Sequence, residues 1–68
     1  MSADNVIYIR NIDNKWWVWE SCLSANQFEP DKKKDIYFET EKEAEKYAIK
    51  LFDNINYVEY GIVMLPPG

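Results

Sequence analysis

Histidine is absent from the 68 residues, and cysteine occurs once, at Cys22. Without an imidazole, Ser21, Ser24 and Cys22 lack the ordinary base that activates a nucleophile. A single thiol closes no internal disulfide and builds no zinc site, so neither a metal nor a cofactor is expected. Glycine occurs only at Gly61 and Gly68, which leaves no glycine-rich cradle for a phosphate. Asp31 and Asp35 bracket a run of lysines, but their spacing fits no calcium loop. No stretch approaches the apolar length of a membrane-spanning helix. The polar, acidic opening MSADN argues against a signal peptide, and a lone reduced cysteine suits a cytoplasmic setting.

A basic excess is also missing. Eight Lys and Arg face twelve Asp and Glu, for a net charge of −4. The overall field therefore repels a phosphate backbone, and nucleic acid is a disfavoured partner. The acidity is mild and dispersed. The one charge run, Lys32 to Lys34, reads as a solvated loop. Glu39 and Glu59 share a sheet face by parity, but they read as solvated carboxylates rather than a catalytic pair. These absences together point away from an enzyme.

What remains is a single small domain, residues 1–68, with a core of marginal size. Its elements can be placed in order. NVIYIRNI, residues 5–12, is rich in β-formers and reads as a strand. Asp13 and Asn14 tolerate positive φ and read as a tight hairpin turn. WWVWESCL, residues 16–23, is the second strand. Residues 24–34 are polar and aperiodic, a long connection of the kind that is often functional. Residues 35–39 form a short third strand. Thr40 with Glu43 makes a capping-box pattern. Ala44, Tyr47, Ala48, Leu51 and Phe52 then fall on one helical stripe, and Asn54 suits a left-handed cap. Residues 57–65 read as a fourth strand, stopped by Pro66 and Pro67. Gly61 within it marks a bulge or a close approach. The expectation is an α+β fold, a three- to four-stranded sheet with a single helix packed on one face in the order β-β-β-α-β.

Trp16, Trp17 and Trp19 lie within four residues, so a strand through them places indoles on both faces. A two-residue turn at Asp13-Asn14 pairs Ile12 with Lys15, Arg10 with Trp17, Ile9 with Val18 and Tyr8 with Trp19. Ile7, Ile9, Trp16, Val18 and Cys22 then face the helix, joined by Ile36, Phe38, Val58, Tyr60, Ile62 and Met64 as core. Tyr8, Arg10, Trp17, Trp19, Tyr37 and Tyr57 face away from it, with Glu59 and Val63. One helix covers one face, so the second is expected to present an aromatic patch of the size that marks a binding site. Trp, Tyr and Arg also dominate interface energetics, and Arg10 opposite Trp17 suits a cation–π pair. Three uses of this face stay open: internal packing with Phe28 and the 24–34 loop as a lid, a homodimer interface, or a site for a different partner. Stacking of single-stranded nucleic acid on the same rings is an alternative, opposed by the acidic balance.

MSADN followed by VIYI, the WWVW strand, FETEKEAEKYA and the closing EYGI resemble a group of short bacteriophage proteins. These open Met-Ser-Ala-Asp-Asn and close Glu-Tyr-Gly-Ile after a helix. Val6 stands where those proteins usually carry glycine. The inner pattern also resembles small bacterial domains of unassigned function with a strand-strand-strand-helix layout. The resemblance implies a phage or prophage origin, no catalytic residues, and action in the host cytoplasm. It also implies a role as an inhibitor of host machinery, including defence complexes such as a CRISPR effector. The combined expectation is a protein-binding module that blocks a host protein sterically, through Tyr8, Arg10, Trp17, Trp19, Tyr37, Tyr57 and Phe28.

Overall fold

The computed structural model describes residues 5–22, 24, 28–54 and 61–68. The strands are β1 (Asn5–Ile12), β2 (Lys15–Cys22), β3 (Ile36–Phe38) and β4 (Ile62–Met64), and the helix α1 (Glu41–Asn54) lies between β3 and β4 in the chain. They form a four-stranded sheet in the order β3-β2-β1-β4, an α+β arrangement with the helix packed on it.

The hairpin sets the geometry of everything else. Asp13 and Asn14 sit at φ 54° and 64°, the double positive-φ geometry whose twist matches a tight hairpin. The register follows, with Ile12 opposite Lys15, Arg10 opposite Trp17, Ile9 opposite Val18 and Tyr8 opposite Trp19. β3 extends the sheet antiparallel to β2, with Phe38 opposite Trp16 and Tyr37 opposite Trp17. β4 adds to the other side of β1 in parallel, with Ile62 beside Ile7 and Met64 beside Ile9. Gly61 enters β4 at φ 71° and accepts a hydrogen bond from the Ile7 N–H at 2.9 Å. Among the described residues a Cβ there would meet only the Phe52 ring edge at 4.0 Å, and the positive φ by itself calls for glycine.

α1 starts where the sequence puts it. Thr40 Oγ1 accepts the Glu43 N–H at 3.2 Å and donates to the Glu43 carboxylate at 3.0 Å. Glu41 and Glu43 add negative charge to the first turn, where the helix dipole favours it. Asn54 is the last helical residue and does not adopt the left-handed conformation expected of it. The small side chains of Ala44 and Ala48 let the helix settle on Ile7, Ile9 and Val18, with Trp16, Phe38, Tyr47 and Leu51 packed around them.

Two expectations about this layer are corrected. Phe52, placed on the apolar stripe, is exposed, and so are Ile36, Ile62 and Met64, placed in the core. The parity is as expected, but the helix axis lies over the middle of the sheet. The margins on the helix side therefore receive less cover from it, although Phe38 of β3 still packs on Tyr47. Tyr57, Val58, Glu59 and Tyr60 lie outside the described residues.

Candidate functional site

The face away from the helix is not an open aromatic patch. Tyr8, Trp17 and Trp19 are 1%, 5% and 2% exposed. They form a second core with Val6, against which Ile12, Val63 and Leu65 pack. The expectation that these three rings would be presented at the surface is corrected, and the reason is physical. Cover comes from irregular chain rather than from a second helix. After β4 the chain continues along β1: the Leu65 N–H donates to Ile9 O at 2.8 Å and the Gly68 N–H to Asn11 O at 2.9 Å. From the other side the Phe28 ring meets Tyr8 edge-on, with centroids 5.7 Å apart. Tyr8 and Trp19 tilt against each other at 5.6 Å.

Arg10 acts as a fastener on this face. Its Nη1 donates to Phe28 O at 2.6 Å and lies 3.7 Å from the Glu29 carboxylate. The guanidinium is thus turned to the Phe28 segment rather than stacked on Trp17. The cation over a ring is Lys15 instead, with Nζ 5.0 Å from the centroid of Tyr37. Of the residues expected to meet a partner, Tyr37 and Phe28 are exposed, at 45% and 44%. Tyr37 leans on Trp17 at 5.0 Å and so belongs to the rim of the second core. Residues 31–35 are tied together through Asp31, whose carboxylate accepts the Lys33 N–H at 3.0 Å. Asp31's own N–H donates to Asp35 at 2.7 Å. Lys32, Lys33 and Lys34 stand in solvent on that turn.

The largest shortage of cover is on the helix side, at the β4 margin. Ile62 and Met64 share the face of Ile7 and Ile9, as their pairing requires, yet are 38% and 45% exposed. Ile49 and Phe52 of α1 are 54% and 41% exposed. A trough of about 270 Å³ runs between the helix and the strand, lined by Ile9, Glu45, Ile49, Ile62 and Met64. A larger recess of about 610 Å³ lies along α1 near Phe38, but Glu43, Lys46, Lys50 and Asp53 give it mixed charge. The trough is the more apolar and more coherent of the two. Sequence reasoning missed it because Ile62 and Met64 have the parity of core residues. Ile49, an apolar residue beside the helical stripe, was the available signal.

Among the described residues no group of three potential metal ligands comes together, and no helix is long and apolar enough to cross a membrane. The chain matches no protein-family model, no curated protein and no solved structure.

Proposed function

We propose that this chain is a non-enzymatic protein-binding module that acts by occupying a surface of its partner. The observation that carries the reading is the cluster of Ile49, Ile62 and Met64, all more than a third exposed and lining one trough, with exposed Phe52 one helical turn further along α1. Contiguous apolar surface of this kind is costly to leave in water and usually marks an interaction site. Phe28 and Tyr37 add exposed rings on the opposite side of the sheet. The resemblance of the sequence to short bacteriophage proteins makes a bacterial host protein, such as a component of a defence complex, the partner class to examine first, with steric blocking as the mode of action. Base stacking on Tyr8, Trp17 and Trp19 has less support, because those rings are sealed in the second core.

The test is capture from bacterial lysate on the immobilised chain. Four forms are compared: the unaltered chain, Ile49→Asp, Met64→Asp, and Lys33→Asp as a control on the loop. A protein retained by the unaltered chain and the control, and lost from both margin variants, supports the reading. Equal retention by all four places recognition elsewhere. No specific retention by any of them counts against a protein-binding role.

A further inference from the structure

We infer that the free edge of β4, with the trough beside it, takes an extended segment of a partner protein as a fifth strand. That segment has apolar side chains at alternate positions and a lysine or arginine facing Glu45. The inference rests on the protein-binding reading above and specifies its mode.

The backbone argument comes first. Gly61 O and Leu65 N–H both point to β1. In a strand, peptide groups alternate sides with a period of two, so those of Ile62 and Met64 face the open edge. Among the described residues no strand lies on that side of β4. Unpaired edges usually carry charged guards. The β3 edge has them close by, in Lys34, Asp35 and Glu39. Residues 61–65 carry no charge, and Pro66 and Pro67 end the open stretch.

Side-chain placement agrees with this. A strand added to β4 alternates its side chains across the sheet. Every second one falls on the helix side, over the trough formed with Ile49, Ile62 and Met64. Backbone pairing with pockets for alternate side chains is how strand addition combines affinity with selectivity. Glu45 stands exposed in the trough wall, and among the described residues it makes no ion pair. Its charge, within a chain of net −4, favours a basic residue in the incoming segment.

A second copy of this chain fits less well. The exposed apolar area of the four margin side chains is roughly 300–400 Å², taking about 150–250 Å² for a large side chain. That is about half of the ~800 Å² per partner found in stable complexes. A two-fold pairing of β4 would also set two Glu45 rims along one junction. A short strand needs only the edge and the trough.

The test uses two fluorescein-labelled peptides, Thr-Val-Thr-Lys-Thr-Val-Thr, which sets Val, Lys and Val on one face, and its twin with Glu in place of Lys. Fluorescence anisotropy and amide hydrogen exchange are the readouts. The Lys peptide is expected to bind more tightly than the Glu twin and to slow exchange at Ile62 and Met64. Met64→Pro removes the outward N–H without touching the ladder to β1, and is expected to weaken binding about tenfold, one hydrogen bond's worth. If that variant unfolds, Met64→Lys, which adds an edge guard at an exposed position, carries the test. Glu45→Lys is expected to reverse the peptide preference.

Three results overturn the inference. One is an anisotropy change equal in Met64→Pro or Met64→Lys. A second is no binding up to millimolar peptide, while Ile49→Asp still abolishes capture of a partner; that outcome leaves the protein-binding reading intact. The third is a concentration-dependent dimer in sedimentation that Met64→Lys dissolves, which makes the occupant a second copy. Capture indifferent to every margin variant removes the underlying reading itself.

Discussion

The Arg10 guanidinium donates a 2.6 Å hydrogen bond to the carbonyl oxygen of Phe28, eighteen residues further along the chain. Through that bond β1 holds the segment whose ring covers Tyr8. The Arg10 side chain is only 19% exposed, whereas its ion-pair partner Glu29 is 73% exposed, so the carbonyl bond carries more of the tie than the screened charge pair.

Arg10→Met keeps much of the apolar stem and deletes the donor. The expected cost is about 1.5–3 kcal/mol, the range for a hydrogen bond involving a charged group. Tryptophan emission should shift to longer wavelength as the cover over Tyr8 and Trp19 loosens. Urea unfolding read by fluorescence measures both effects. Unchanged emission and midpoint would show that the cover holds without this contact.

Backbone angle offers a second prediction, because Asn14 and Gly61 both stand at positive φ. Asn14→Gly completes the Asp-Gly pair that such turns favour and should add about 0.5 kcal/mol. Asn14→Val forces a β-branched residue into the same geometry and should cost about 1–2 kcal/mol. Gly61→Ala should cost about 1 kcal/mol from φ, since among the described residues only the Phe52 ring edge comes within 4.0 Å of an added Cβ. Thermal melts of the three variants check the order.

Much of this geometry is legible in the sequence, and the limit of legibility is specific. Asp13-Asn14 determines the hairpin, and from it the pairing of Tyr8 with Trp19 and Arg10 with Trp17. Thr40, Glu43 and the stripe from Ala44 to Leu51 locate the helix and its buried side. Those are local signals. What covers each face is decided by contacts far apart in sequence, such as Leu65 on the second core and Phe28 on Tyr8. Residue parity cannot show it. Val63 and Ile62 are equally apolar, yet Val63 is packed into the second core while Ile62 is left at the margin. The shortage of cover inferred from one helix is real, but it falls on the helix side of β4 instead of on the tryptophans.

The Tyr8 hydroxyl is buried and has no hydrogen-bond partner among the described residues. A buried donor without a partner forfeits its bonds to water and gains none in return. Tyr8→Phe keeps the ring contacts with Trp19 and Phe28 and removes the hydroxyl. Stability is therefore expected to hold or to rise by up to about 1 kcal/mol, against the usual trend for substitutions in a core. Denaturant unfolding decides it; a loss beyond 1 kcal/mol would show that the hydroxyl is bonded in solution.

Folding and recognition should separate cleanly between the two faces of the sheet. Trp19 is 2% exposed and packs with Val6, Tyr8 and Trp17. Trp19→Ala leaves a large cavity and should cost about 3–5 kcal/mol, most of the stability a chain of this length has. Ile49 is 54% exposed, so Ile49→Asp should cost no more than about 1 kcal/mol, mostly from the like charges of Glu45 and Asp53 four residues away on either side. Helix propensity falls slightly, and Ile49 is not among the side chains packed around the helix-side core. Partner capture should respond in the opposite order: abolished by Ile49→Asp in a fully folded chain, and lost from Trp19→Ala only as the fold is lost. Measuring capture and circular dichroism over one temperature series distinguishes the cases. If Trp19→Ala loses capture while still folded, and Ile49→Asp retains it, recognition runs through the tryptophan face after its cover opens.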